Sequence, residues 1–429
     1  MARKMKDSGI EWIGEIPEGW RTINPKALFT QRKDKAQKGE RQLTSSQQYG
    51  ILYQDDYMEL TGSKVVTVEK DFDILKHVEA GDFVISMRSF QGGLEYSTKS
   101  GAISSAYIML VPNLELVYPR FYRWLLKSSV YIDALQRTTN MVRDGQAMRY
   151  SNFAQVRLFT LPLDEQKSRA DFLDLECSSI DKILFKTRSS IEEYKKLKQA
   201  VITQAVTKGV RGEREMKDSG VEWIGKIPRE FDPVQLKFFC KLITDGTHFS
   251  PTTVENGWPY ITAGDVHGIG LDYNSAKRIS EDDFQLLVAQ GCQPLKGDVL
   301  LVKDGATTGR VGFVDSDTPC VILSSVAMLR PADKTDGHYL MYLLASDFLQ
   351  KQILVSMAGS AMPRTTLTKL TKYIGLLPPL YEQKEISNYL DAKCAEIDGL
   401  IAKKEQLVKE LESYKKSLIY EVVTGKREV

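Results

Sequence analysis

The segment Arg137–Arg149 gathers Arg137, Arg143 and Arg149 with Thr138, Thr139, Asn140 and Gln146 against one acid, Asp144. Arginine, asparagine and glutamine can pair in bidentate fashion with guanine and adenine edges in a major groove. The same residues, together with threonine, also bind phosphate. A second polar loop, Ser86–Gly93, follows an apolar run and carries Arg88, Ser89 and Gln91. The other half of the chain offers Thr247 and His248 within Asp245–Pro251, then Lys303, Thr308 and Arg310, and finally Arg364 ahead of two threonines. Taken singly, each loop reads equally well as solvated surface. What favours recognition is that the set lies on a duplicated frame.

Motifs for catalysis are missing. Gly305-Ala306-Thr307-Thr308-Gly309-Arg310 approaches a phosphate loop but lacks its lysine and its spacing, and reads as a turn between strands. Leu377–Leu380 and Gly257–Tyr260 lack the leading Asn or Asp with which an amino-methyltransferase loop accepts a hydrogen bond from a base. No H-E-x-x-H or G-x-S-x-G occurs, and His77, His248, His267 and His338 are scattered. The chemistry left is that of binding.

Two long helices must position these loops. The first is expected from Leu163 to Thr207 and the second from Leu380 to Thr424. Apolar residues recur in alternating steps of three and four: Ile180, Ile183, Tyr194, Leu197 and Val201 in the first, Ile397, Leu400, Leu407, Leu411, Tyr414 and Leu418 in the second. That spacing marks a helix packed along another helix. Pro162, Gln166, Asp174, Asp181 and Thr207 return as Pro379, Gln383, Asp391, Asp398 and Thr424, a constant offset of 217. At ~1.5 Å per residue each helix is a rod of about 60 Å.

A second repeat marks the boundaries. Met5-Lys6-Asp7-Ser8-Gly9-Ile10-Glu11-Trp12-Ile13-Gly14-Glu15-Ile16-Pro17 returns at Met216–Pro228 with only Ile10/Val221 and Glu15/Lys226 changed. The chain is therefore two tandem units, each an entry segment, a globular part and a long helix. The expected domains are 1–160, a first spacer helix over 161–212, a second globular domain over 213–376 and a second spacer over 377–429. Both globular parts read as mixed α+β. The expected strands are Lys64–Val68, Asp82–Ser86 and Ala106–Val111, then Trp258–Thr262, Asp298–Val302, Arg310–Val314 and Val326–Leu329. Helices are expected from Arg120 through Leu135 and over Tyr339–Leu349. Antiparallel helices would make the repeat a pseudo-twofold molecule with unlike heads, suited to an asymmetric split target on duplex DNA. Because Thr424–Glu428 matches the stretch that leads into Met216, the C-terminus is expected near Met5.

The 429 residues hold 42% hydrophobic residues and a formal charge of +2. That charge is low for an isolated nucleic-acid binder, so positive surface must be local or a partner must share the phosphate contacts. No apolar run is long enough to span a bilayer, and no apolar stretch follows the basic residues at the N-terminus. Five cysteines without a C-x-x-C pair read as free thiols in a reducing cytosol, with neither disulfide nor zinc.

With these motifs the sequence resembles a specificity subunit of a Type I restriction–modification system, over essentially its whole length. The carriers are Trp12–Pro17 with Trp223–Pro228, Leu377–Gln383 with Leu161–Gln166, Asp245-Gly246-Thr247-His248, Pro259–Thr262 and Gly297–Leu301. Leu163-Asp164 departs from the proline–leucine of the distal copy. The resemblance implies two target-recognition domains separated by two spacer helices in an antiparallel coiled coil. It implies that each domain reads half of a bipartite site. It further implies two methyltransferase subunits, holding S-adenosylmethionine and flipping the adenine, and two restriction/translocase subunits using ATP and Mg²⁺. The chain itself would be non-catalytic and hold no cofactor. The rival reading is a coiled-coil adaptor that does not read DNA.

Overall fold

The computed structural model describes residues 3–68, 72–86, 94–138, 149–221, 224–268, 270–357 and 363–429. The chain forms two compact units. Unit 1 is Met1–Arg188 with Gln406–Val429, and unit 2 is Ser189–Glu405.

Each unit opens on the repeated entry segment, folded the same way twice. Met5–Asp7 pairs antiparallel with Glu15–Pro17, and Met216–Asp218 pairs with Lys226–Pro228 in the same register. The turn is built from local side-chain chemistry. Asp7 and Asp218 accept from the N–H of Gly9 and Gly220, both at 2.9 Å. Ser8 and Ser219 accept from Ile10 and Val221 at 3.0 and 3.1 Å. Gly9, Gly14, Gly220 and Gly225 all have φ between 62° and 72°, which a Cβ disfavours.

The core sheet of unit 1 comprises β1 (Phe29–Arg32), β2 (Phe83–Ser86), β3 (Glu95–Tyr96) and β4 (Tyr107–Pro112). Its order is β1-β4-β2-β3, all antiparallel. After α1 (Leu163–Lys208), unit 2 repeats the order as β5 (Cys240–Asp245), β8 (Val326–Pro331), β6 (Val299–Val302) and β7 (Val311–Phe313). Both sheets are covered on two faces. Successive side chains point to opposite sides, so Val299, Leu301, Ala327 and Leu329 enter one core while Leu300, Val302, Val326 and Met328 enter another. Unit 1 divides Phe83, Ile85, Ile108 and Leu110 from Val84 and Met109 in the same manner.

Outside the frame the units part company. Unit 1 carries a hairpin (Leu43–Ser46 with Gly50–Tyr53), the helix Gln54–Thr61 and the pair Lys76–Val78 with Gly101–Ile103. Unit 2 carries a four-stranded sheet that includes Trp258–Ile261 and Val321–Ile322, flanked by the helix Glu281–Ala289. Lys64–Val68, expected as a strand, has no regular structure; Val66 is 87% exposed and no layer covers it. The two expected helices are each a pair, Pro119–Leu126 with Ser129–Gln136 and Gly337–Ala345 with Asp347–Ser356. Ser128 and Ser346 make the breaks, their hydroxyls donating to the carbonyls of Leu125 and Leu343.

The long helices are α1 and α2 (Leu380–Val423). In unit 1, Asp181 pairs with Lys415 and Arg188 with Glu412, so the segments there run antiparallel. In unit 2, Tyr194 lies against Lys404 and Lys198 against Asp398, again antiparallel. The buried stripe corrects the expected seam. Ile180, Ile397 and Leu418 are buried, and Tyr194, Val201, Leu400 and Leu411 are partly so. Ile183, Leu197, Leu407 and Tyr414 are 41–48% exposed. The inner positions one step later belong to Leu184, Lys198, Val408 and Lys415. Alternating steps of three and four fit two registers, and the true one places a lysine on the inner stripe of each helix.

One buried glutamine clamps each long helix to its unit. Gln166 donates to the carbonyls of Leu116 and Leu161 and accepts from Tyr118 N–H. Gln383 does the same with Lys334, Pro378 and Asp336. Next to them Glu165 pairs with Arg3 and Glu382 with Arg214. Burial alone would raise the Glu165 pKa, but hydrogen bonds from Arg3 and Arg169 outweigh it and hold the carboxyl below its ordinary range.

Candidate nucleic-acid interface

In unit 2 the candidate residues converge on one end of the core sheet. The Asp245–Pro251 loop leaves β5, the Lys303–Arg310 turn joins β6 to β7, and Arg364 lies beside that turn. Lys303 stands at the centre. Its side chain is 3% exposed, and its ammonium lies 3.2 Å from Asp245 and 2.9 Å from Asp304. Arg364 Nε reaches Asp304 at 2.9 Å while the side chain stays 60% exposed. Backbone contacts tie the same loops: Thr365 N–H donates to Lys303 O and Gly305 N–H to Pro363 O. Thr308 spends its hydroxyl on the carbonyls of Gly305 and Pro363.

The loop after β5 is equally fixed. Thr247 is buried and bridges Leu323 in parallel, and its hydroxyl accepts from Phe249 N–H at 2.9 Å. Gly246 is required, because a Cβ there would lie 1.9 Å from Ile322 O. The result is a rigid edge presenting His248, Phe249, Arg364 and, across the turn, exposed Arg310.

Of the residues put forward as DNA contacts here, His248, Arg310 and Arg364 face solvent. Thr247 and Lys303 do not: they are buried and spend their polar atoms on the protein, so they hold loops rather than meet a ligand. Sequence reasoning named both loops, Asp245 and Asp304 among their residues, but gave those acids no organising role. The available signal was a lysine flanked by acids in two loops of one basic cluster.

In unit 1, Arg149 is exposed at the start of the helix Tyr150–Gln155, and its N–H donates to Asn152 Oδ1 at 2.9 Å. The Asn152 amide donates in turn to Thr138 O at 2.7 Å. One side chain thus holds Thr138 and Arg149 together. Arg88, Ser89, Gln91, Arg143 and Gln146 lie outside the described residues.

A catalytic constellation is not found among the described residues. They include no cluster of His, Cys, Asp and Glu able to hold a metal ion. The groove of about 660 Å³ in unit 1 contains Asp174. Burial there opposes ionisation, but Arg120, Trp124 and Arg123 outweigh it and hold the carboxyl low, as in a structural ion pair. No helix among the described residues is long and apolar enough to cross a membrane.

Known proteins give this geometry a context. Residues 228–410 match the Type I restriction modification DNA specificity domain. A Type I restriction enzyme MjaVIII specificity subunit of Methanocaldococcus jannaschii is 25% identical over 360 residues, covering 81% of this chain and 80% of that one. The EcoBI specificity subunit of Escherichia coli is 25% identical over 63% of this chain and 58% of its own length. In fold, the chain is similar to a chain from a solved type I R-M system, with a TM-score of 0.70 at 16% identity, covering 96% and 99%. It is also similar to the HsdS subunit of Thermoanaerobacter tengcongensis, with a TM-score of 0.51 at 17% identity, covering 96% and 98%. The chain is thus similar in sequence to specificity subunits of Type I restriction enzymes, and residues 228–410 match their DNA specificity domain.

Proposed function

We propose that each unit reads one half of an asymmetric, bipartite duplex site, and that the chain directs DNA chemistry without performing it. The observation that carries this reading is one frame built twice with unlike outer parts. Entry turn, sheet order, helix pair and glutamine clamp coincide, whereas the inserts share no sheet. A repeated frame serves a repeated task, and different inserts serve different targets.

The long helices are the antiparallel spacer. Lys198–Asp398 and Lys415–Asp181 are the same pair exchanged by the offset of 217, the pattern of an isologous contact. Taken as a pseudo-dyad, the repeat would match the dyad of duplex DNA. In this reading the recognition domains are 1–160 and 213–376, and the spacers are 161–212 and 377–429. The spacers carry two methyltransferase subunits holding S-adenosylmethionine, to which two restriction/translocase subunits with ATP and Mg²⁺ attach in the cytoplasm. Their basic surfaces supply the phosphate contact that a chain of charge +2 lacks.

Mapping methylated adenines in the host genome tests the bipartite site directly. Arg364→Ala and Arg149→Ala, assayed in complex with the methylating subunits, are expected to lose ~1–3 kcal/mol at one position of one half-site each. Unchanged binding by both variants removes these arginines from the interface. A mere adaptor gives no sequence-dependent shift with or without its partners.

A further inference from the structure

We propose that Phe249 is a base-reading residue of unit 2, packing its ring on the C5-methyl group of a thymine in the major groove. The proposal rests on the reading of unit 2 as a DNA-recognition domain. It adds an apolar contact to a site so far described by its charges.

Phe249 is 51% exposed. A single exposed aromatic is ordinary on a protein surface. What sets this one apart is how firmly it is held out. Gly246 admits no side chain, Thr247 is fixed between Ile322 and Ser324, and the Thr247 hydroxyl caps the Phe249 N–H. The ring is therefore presented on a preorganised loop, with little conformational freedom left to lose on binding.

Its surroundings point to one kind of partner. His248 precedes it with its side chain 72% exposed, and Asp245, which begins the loop, is joined through buried Lys303 to Asp304 and so to Arg364. One edge thus combines an apolar ring, an imidazole and a guanidinium held by a carboxylate. Major-groove edges offer the complement: acceptors on guanine, donors on adenine and cytosine, and a methyl group on thymine alone. A protein partner would meet the same ring, but it offers no reason for the charged residues to be locked together through a buried lysine.

The test uses the full chain assembled with its methylating subunits and the mapped site. Each thymine of the second half-site is replaced in turn by deoxyuridine, which removes only the methyl group. The wild-type complex should lose about three- to five-fold in affinity at one thymine, the value of burying one methyl-sized group. Phe249→Ala should lose about ten-fold on unmodified DNA and be indifferent to deoxyuridine at that position. Phe249→Leu should recover part of both effects. Unchanged affinity of Phe249→Ala overturns the proposal, as does a loss coupled to no thymine. A wild-type complex that does not discriminate the second half-site at all overturns instead the reading of unit 2 as a recognition domain.

Discussion

Units 1 and 2 solve one junction in two ways, and the difference shows two means of fastening the same frame. In unit 2, α1 stops at Lys208 and the backbone runs on through Gly209 into Met216. The buried Glu382 there faces Arg214, with Phe231 beneath. In unit 1 the equivalent junction packs the end of α2 against residues 3–20. Gly425 packs on Pro17 and Trp20, and Lys426 donates to Ile13 O. Arg169 ties the two segments together. Its guanidinium, 1% exposed, donates to Val422 O and Arg427 O and to Glu165, while Trp20 stacks beneath it and donates to the same carboxylate. At the matching position in unit 2 stands Ile386, an apolar core residue. A buried cation fastens the junction in one unit where an apolar side chain fills it in the other.

The largest expected effect comes from breaking that tie. Arg169→Leu leaves the Val422 and Arg427 carbonyls and Glu165 short of donors, which should cost unit 1 about 3 kcal/mol. Hydrogen exchange resolved by segment should show opening at residues 3–20 and 418–429, with unit 2 unchanged. Equal loosening of both units would mean the arginine is not a local tie.

The glutamine clamps test the opposite side of the comparison, where the units agree. Gln166→Leu and Gln383→Leu each remove two donated bonds and one accepted bond from buried backbone groups. Each should cost about 1–3 kcal/mol, and urea unfolding should find the two losses alike. A marked inequality would show that the frames differ in energy despite their shared geometry.

The smallest effect is expected at the spacer. Lys198→Met and Lys415→Met remove the two pairs related by the repeat. Partly exposed ion pairs are worth ~0–1 kcal/mol, so both changes should be slight, similar and smaller still at high salt. A large loss from only one of them would break the symmetry of the helix pair.

These residues also show where reading the sequence succeeds and where it stops. The entry segment, whose turn is built by Asp7, Ser8, Gly9 and Gly14 on neighbours within seven positions, was legible as a repeat. So were the long helices and the strands after Gly81-Asp82 and Gly297-Asp298, where an apolar run follows a turn. The helix register was not. Lys198 and Lys415 look like surface residues until Asp398 and Asp181, two hundred and more positions away, come beside them. Lys303 and Thr247 looked like contacts for the same reason. In unit 1 the candidates Arg88, Ser89, Gln91, Arg143 and Gln146 remain a statement about residue type.

Short-range chemistry, then, belonged to the sequence: turns, caps, helix length, and the duplication that makes two units of one frame. The tertiary structure alone decided burial. Whether a lysine reads a ligand or holds a loop depends on the acids that surround it. At Lys303, Asp304 is the next residue, but Asp245 is brought there by β5, 58 positions away (303 − 245). A side chain's role follows from its partners, and partners at long range are chosen by the fold.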